Sequence, residues 1–596
     1  MIRIAGDVQW RPLHLVILLL YGAFLTWPAL SNGYIPSRDV LTHLHWFTNF
    51  SHQLWAGEWY PRWLDGMNGG LGSPVFFFYP PLPYYFTALL KPLFHADPEG
   101  WHQLGVAASM AVILSGFSTY SWLKRIGGST PALVAAIVYM GAPYHLVVDL
   151  YDRFAFAELW AFVWLPLVLW SAQATVGGSR KALVGLALSY AGLLLTHLPT
   201  AMIFSPLALA YAVFCTDRRD RMRDIMAVAG AMALGTGLAA TFLIPALATQ
   251  NNISLSDMRV GRLSYVYHFL YYGPRPTADI ADMLIQQGRY VAAVMIACVA
   301  AFIFGGLTMA QPERRQAHFW LVIAVLVFAI MLPMARPLWD ILPPLQVTQF
   351  PWRFNILLTL AMTALIALWV ASIKPEGSRF SRLPLLIVCV VVMGQSLPSL
   401  VTYLAVAASP GEPSMDKMFA QFGSLNNDTK EKVLAAKLAA DVEEYRPRWV
   451  PYDIFHSSQA LSGLLARVQA KHQGQDSTVS ILSRSPRRIV LSVDTPAEGW
   501  VKLPHFYYPG WRAMTGSPAT QLPLRPSVQE GLLEVSVKPG RHEIVLELVT
   551  SMAEWIGWAI SGVSVVLLGL LTFRAFRRRE LPLRFNPQLN GIKDFS

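Results

Sequence analysis

Charge is scarce in this sequence. Of its 596 residues only 14% are Asp, Glu, Lys or Arg, while 54% are hydrophobic; soluble domains carry about 25% charged residues. That balance, with a mean hydropathy of +0.40, makes a lipid-embedded chain the default class. Cysteine is scarcer still. Cys215, Cys298 and Cys389 are the only three; two lie inside apolar runs and Cys215 where one ends. None has CxxC or metal-ligand spacing, which sets aside a disulfide framework and a zinc site. Missing as well are a Walker A loop, a Rossmann glycine fingerprint and any cytoplasmic stretch large enough to bind a nucleotide sugar. Basic residues are in excess, giving a net charge of +11. They sit in short loops between apolar runs, so the excess does not point to nucleic acid.

What is abundant is long apolar runs. Windows of about twenty residues give spans near 12–30, 101–122, 130–148, 157–174, 182–197, 199–214, 225–248, 290–310, 319–334, 354–373, 383–404 and 554–573. The run 182–214 is divided at His197-Leu198-Pro199, because a helix of that length overshoots the bilayer. The stretch 76–96 is left out; its prolines and Lys91 suit a broken interfacial helix. Twelve spans place every basic cluster on one side: Arg3 and Arg11, Lys124/Arg125, Arg180/Lys181, Arg218/Arg219/Arg221/Arg223, Arg314/Arg315, Lys374/Arg379/Arg382 and Arg574/Arg577/Arg578/Arg579. The positive-inside rule makes that side cytoplasmic, with both termini on it. Ala29-x-Ser31 is reminiscent of a signal cleavage site. An uncleaved anchor is the preferred reading.

The expected fold class is a polytopic α-helical membrane protein with an extracytoplasmic β-rich domain. Residues 1–404 form the transmembrane domain with a first outer loop at 31–100. Residues 405–553 form an outer α/β domain, with helical patterning at 414–445 and alternating, β-sandwich-like strands beyond it. Residues 554–596 are the last span and a basic cytoplasmic tail.

The first outer loop carries the densest chemistry. Arg38 and Asp39 follow the first span closely. Val40–Trp55 reads as an interfacial helix with Leu41, Leu44, Phe47, Phe50 and Leu54 on one stripe, and His43, His45 and His52 around it. A Gly-, Pro- and aromatic-rich passage follows. Irregular backbone at membrane depth must be buried in protein or line a wet cavity, so a cavity is expected there.

The order of Asp39, interfacial helix, GEWYPRW (57–63), G-x-G-x-P (70–74) and FFFYPPLPYY (76–85) resembles the GT-C membrane glycosyltransferases. The nearer resemblance is to the YfhO-like branch, labelled the membrane 6-pyruvoyl-tetrahydropterin-synthase-related family. APYHLVVDLYDRFAFAELWA (142–161), QFPWRF (349–354) and YYPGW (507–511) extend it along most of the chain. No residue pattern supports pterin chemistry. The resemblance implies a GT-C-like fold and a catalytic carboxylate in the first outer loop, where Asp39 stands. It further implies a polyprenyl-phosphate-linked sugar donor and a lipid, glycan or protein acceptor among the membrane lipids. A base taking the acceptor proton suits that chemistry; the bland reading of Asp39 is a helix N-cap.

The leaving phosphate calls for cations. Arg62, Arg153 and Arg353 each sit in an aromatic word on the outer face, YPRW, YDRF and PWRF; interfacial anchoring on the rings explains them equally. Asp149, Asp152 and Glu158 supply carboxylates in the second outer loop. A pair of acids, such as Asp39 and Asp152, holds a divalent metal (Mg or Mn) or orients the acceptor, or Asp152, Arg153 and Glu158 form an ion network; no spacing requires a metal. His197 is a wall residue or an acid. Glu58 caps a turn, pairs with Arg62 or contacts substrate. Tyr79, Tyr84 and Tyr85 belong to an aromatic belt or line a channel, and Arg38 and His43 complete the substrate-binding candidates. YYPGW reads as packing within the β domain. Two other functions stay open: a transporter or flippase, against which the crowding of ionisable groups at the outer ends of spans counts, and a non-catalytic envelope assembly factor.

Overall fold

A computed structural model describes residues 11–577 apart from 34, 36, 96, 98, 217–219, 255–258, 374–378, 408–437 and 474–477. Most of the helical patterning expected at 414–445 lies outside the described residues, as do Arg3, Arg218, Arg219, Lys374 and the tail from Arg578.

Seven helices are each long and apolar enough to cross a membrane: Trp101–Gly127, Ser129–Asp152, Phe156–Val176, Leu198–Cys215, Ala278–Gly306, Pro351–Ser372 and Met552–Ala575. Three bent pairs raise the number to as many as ten among the described residues. Arg221–Leu238 and Ala240–Asn252 meet at 71°, Gln311–Ile330 and Pro333–Ile341 at 81°, and Leu383–Gly394 and Leu397–Ala405 at 46°. Pro333 and Pro398 sit at the start of the second arm in two of them, where a ring that cannot continue the preceding hydrogen-bond ladder turns the chain. The other two expected spans are helices of 14 and 15 residues, Pro12–Leu25 and Arg180–Leu194. At about 1.5 Å per residue neither alone covers a hydrocarbon core of about 30 Å; the first resumes after Thr26 as Trp27–Asn32. The 182–214 run does break beside His197, which sits in extended backbone ahead of Leu198–Cys215.

Burial sorts the helices. Ser129–Asp152 and Pro351–Ser372 form the packed centre, whereas the last helix is exposed along almost its whole length. Val, Leu and Ile are exposed along it, the kind of surface that lipid covers on a membrane-spanning helix.

The helix expected at the interface runs Val40–Trp55. The aromatic passage after it is a short helix Val75–Phe78, a second Leu82–Leu89 and a turn Lys91–Leu93. Between them Leu64 and Ser73 pair as an antiparallel bridge. Gly72 closes that bridge at φ +88°, and a Cβ there would meet the Trp63 ring at 2.4 Å; this is the physical reason for a glycine in the G-x-G-x-P word.

The outer domain ends in eight strands: β1 (Thr478–Ser485), β2 (Arg488–Thr495), β3 (Gly499–Phe506), β4 (Trp511–Thr515), β5 (Thr520–Leu522), β6 (Leu524–Pro526), β7 (Leu532–Val537) and β8 (Gly540–Leu548). They form antiparallel sheets ordered β1-β2-β8-β4-β5 and β3-β7-β6. Alternate residues Ile489, Leu491 and Val493 of one sheet share a core with Val501, Leu503, Val535 and Val537 of the other, the period-two pattern of a face-to-face pair. Trp63, Leu71 and Phe77 of the first outer loop belong to the same core. Trp63 stacks on His505 at 5.0 Å and meets Trp511 edge-on at 5.8 Å. YYPGW therefore packs within the domain and against the first loop.

Arg62 and Glu58 join this docking rather than a substrate site. Arg62 Nε lies 3.1 Å from Glu554 Oε1, both side chains 1% exposed. Its Nη2 donates to Thr241 O at 2.7 Å, and the guanidinium lies over Tyr60 at 3.8 Å. Arg487 bridges Glu58 (3.6 Å) and Glu554 (3.5 Å). One buried cluster thus ties the first loop, the β domain and the last helix together. Removing one partner of a buried pair leaves an uncompensated charge, so Arg62→Ala and Glu554→Ala are each expected to destabilise the protein by about 3–5 kcal/mol. Thermal unfolding in detergent measures this; an unchanged midpoint for either variant contradicts the assignment.

Candidate functional site

Residues 38–39 and 152–153 are sewn together by the main chain: Arg38 N donates to Asp152 O (3.1 Å) and Asp39 N to Arg153 O (2.9 Å). The second of these strands ends a π-helical turn, Tyr144–Asp152, a rare form that recurs at functional sites. Phe154 follows at φ +56°, a strained backbone for a bulky residue. Gln349, four residues before Arg353, sits at φ +64°. Both arginine-bearing segments are therefore held in costly conformations by their surroundings.

The side chains form a line of alternating charge. Arg153 Nη2 lies 3.8 Å from Asp39 Oδ2 and its Nη1 3.5 Å from Glu158 Oε2; Arg353 Nε lies 3.4 Å from the same oxygen. Tyr144 donates to Glu158 Oε1 at 2.7 Å. Glu158 is 1% exposed, so its charge depends on these partners. Aromatic rings back the guanidinium groups: Arg153 over Trp352 at 5.0 Å, Arg353 over Phe350 at 4.8 Å. Arg353 Nη1 also donates to Thr348 O at 2.6 Å. Asp149 is wholly buried nearby, and neither of its carboxylate oxygens has a hydrogen-bond partner.

Asp39 occupies the N-cap position of the interfacial helix, yet its side chain makes no capping hydrogen bond. The carboxylate is 45% exposed and points toward the arginines. Protein surrounds it on the remaining sides, and that burial pushes its carboxyl above the ordinary aspartate range, against the pull of Arg153, Arg38 and Arg353. His43, one turn along, accepts or donates a 2.6 Å bond to Tyr84 Oη through Nδ1. Burial, with Arg153 and His197 beside it, lowers the imidazole to about 3, so it is neutral at physiological pH. Tyr79 packs 6.2 Å from the His43 ring, and desolvation raises its phenol. His197 bonds Thr200 Oγ1 at 2.8 Å and acts on Glu158 electrostatically.

The structure thus brings together Arg38, Asp39, His43, Tyr79, Asp152, Arg153, Glu158, His197 and Arg353. Glu58 and Arg62 stand in the docking cluster instead. Asp152, named with Asp39 as a metal ligand, turns to Arg38 Nε at 3.5 Å. Among the described residues no three His, Cys, Asp or Glu side chains form a metal-ligating group.

A family model described as "6-pyruvoyl-tetrahydropterin synthase related domain; membrane protein" matches residues 76–403, more than half of the chain and including both arginine-bearing segments. The chain belongs to that family. It is a membrane protein of this family. No curated protein matches it in sequence. Among solved structures it is similar to the arabinofuranosyltransferase AftD from mycobacteria over 92% of its length, at 13% identity and a TM-score of 0.47; it spans 41% of that chain. An Archaeoglobus fulgidus oligosaccharyltransferase tethered with an acceptor peptide aligns over 79% of this chain and 69% of its own, at 12% identity and a TM-score of 0.42. ArnT from Cupriavidus metallidurans, bound to undecaprenyl phosphate, aligns over 69% and 91% respectively, at 12% identity and a TM-score of 0.30.

Sequence reasoning missed the contribution of residues 438–446. Asp441 is buried beside the site; it accepts from Trp46 Nε1 (2.9 Å), from Val442 N (2.8 Å) and from Ser73 Oγ, while its own N–H donates to Asn68 Oδ1 at 2.9 Å. The signal was present in DVEEYRPRW (441–449), another arginine word between aromatics. Replacing Asp441 with Ala leaves those donors unsatisfied, at about 1–3 kcal/mol each, whereas Asn keeps an acceptor for two of them. Asp441→Ala is expected to expose the 438–447 segment to limited proteolysis, with Asp441→Asn close to wild type. Equal protection of the Ala variant contradicts this.

Proposed function

We propose that this chain is a glycosyltransferase of the bacterial inner membrane, with both termini cytoplasmic and its site on the extracytoplasmic face. It transfers a sugar from a polyprenyl-phosphate donor to an acceptor hydroxyl on a lipid, glycan or protein. Asp39 is the general base in this reading, and Arg153 and Arg353 receive the lipid phosphate. The observation that carries it is the Asp39 carboxylate, which sits at a helix N-cap without capping and stays half open beside a guanidinium.

Each group has a step to perform. Asp39 accepts the acceptor's O–H proton as the oxygen attacks the anomeric carbon. The bond from that carbon to the phosphate oxygen breaks, and the carrier leaves as polyprenyl phosphate. Negative charge growing on the phosphate is met by the arginines, whose aromatic backing and shared Glu158 fix their orientation without cancelling both charges. The carboxylate of Asp39 also favours an oxocarbenium-like centre. Neutral His43 and Tyr79 supply hydrogen-bonding walls. The absence of a nucleotide-sugar motif in the sequence accords with a lipid-carried donor.

Asp39→Asn and Asp39→Ala are expected to lower transfer by about 10²–10⁴-fold, the usual contribution of a positioned base, while the protein inserts and melts normally. Assays on membrane vesicles charged with native polyprenyl-phosphate sugars test this; wild-type rates sink it. The pH dependence has a definite sign. A base works ionised, and burial raises the carboxyl, so transfer should fall on acidification at a pH above the ordinary aspartate value of about 3.9. An acid limb at or below that value contradicts the assignment.

A further inference from the structure

The outer domain does more than dock beside the site. Its segment 438–445 is strapped onto the first outer loop: Gly69 N donates to Leu438 O (2.6 Å), Asn68 N to Ala439 O (3.0 Å), and Asp441 accepts from Trp46 and Ser73 and donates its N–H to Asn68. The strap sets Tyr445 against two rings of the transferase site. Tyr445 lies 5.8 Å from Trp46 and 5.9 Å from Tyr79, and these two are 4.8 Å apart. All three pairs are steeply inclined, at 60–85°, so the rings form the walls of a corner rather than a flat stack. Tyr79 and Tyr445 remain partly exposed.

Glu444 stands on the same strap. It is half-buried, within electrostatic reach of Glu443, Asp39 and Asp441, and the donor on its carboxylate is its own backbone N–H; among the described residues it makes no ion pair. A half-buried carboxylate among other carboxylates, with one backbone donor and no cation of its own, keeps acceptor sites that further donors can satisfy. Desolvation already pushes its carboxyl up. Hydroxyl groups of a ligand are donors that satisfy such a carboxylate without adding charge.

We propose that Glu444 and Tyr445 complete a sugar subsite over Asp39, with the aromatic corner packing on a ring's C–H face and Glu444 accepting its hydroxyls. The inference rests on the transferase reading for the identity of Asp39 but makes a separate claim about what the outer domain recognises. The shared chemistry is a polyhydroxylated ring, which reaches the corner either as the acceptor glycan or as the sugar carried by the donor.

The test uses the full-length protein in nanodiscs as wild type, Glu444→Gln, Tyr445→Ala and Asp39→Asn. Ligands are methyl glycosides of mannose, glucose, galactose and arabinofuranose, and the same sugars on a short-chain prenyl phosphate; binding is read by saturation-transfer NMR. At least one ligand is expected to bind wild type and to lose affinity by about tenfold or more, about 1.4 kcal/mol, in Glu444→Gln and Tyr445→Ala. Loss confined to the methyl glycosides assigns the acceptor, and loss confined to the prenyl phosphates the donor sugar. Glu444→Gln binding every ligand as wild type does overturns the proposal, as does a wild type that binds none. Glu444-dependent binding alongside full transfer by Asp39→Asn would leave the subsite standing and remove the base.

Discussion

Glu158 is an ionisable carboxylate enclosed in the first turn of a helix long and apolar enough to span a membrane, and the rest of the site is arranged around keeping it there. Two guanidinium groups and one phenol reach it, Tyr144 and Arg153 from the two ends of one π-helical turn and Arg353 from a second segment. A carboxylate so enclosed is tolerable only with such partners, and the partners are costly to hold. One follows a π-helical turn and precedes a left-handed phenylalanine; the other follows a left-handed glutamine. The result is a fixed pair of arginines that share Glu158, with Arg153 turned on its other side to the half-exposed carboxylate of Asp39.

The sequence made much of this legible because membrane chemistry penalises polar residues so heavily. A charged side chain beside an apolar run is conspicuous, and YDRF and PWRF marked Arg153 and Arg353 for that reason. The helix at Val40–Trp55 and the broken piece after it followed from periodicity and proline. YPRW misled, since flanking aromatics say that a guanidinium is partly buried and not who its partner is. Glu554, nearly five hundred positions away, decides that for Arg62. The count of crossings blurred where proline-marked breaks bend helices within the bilayer. Residues 441–445 escaped for another reason: they close a stretch read as helical from its pattern, whereas in the structure they are a short strap whose partners are Trp46, Ser73 and Tyr79.

Those contacts also change the standing of the outer domain. It is fixed at two places on the first loop, by the Trp63 core with the Arg62–Glu554 cluster and by the Asp441 strap. Trp46, one of the strap's partners, belongs to the interfacial helix that Asp39 heads, so the domain touches the element that positions Asp39.

The central claim is that a lipid phosphate is received between Arg153 and Arg353 within reach of Asp39. A cryo-electron microscopy structure of the full chain in nanodiscs containing a polyprenyl phosphate tests it directly. The account predicts phosphate density in contact with both guanidinium groups, with the lipid tail leaving toward the hydrocarbon. A polyprenyl phosphate seated elsewhere, with the Arg153–Glu158–Arg353 line closed and unoccupied, would contradict it.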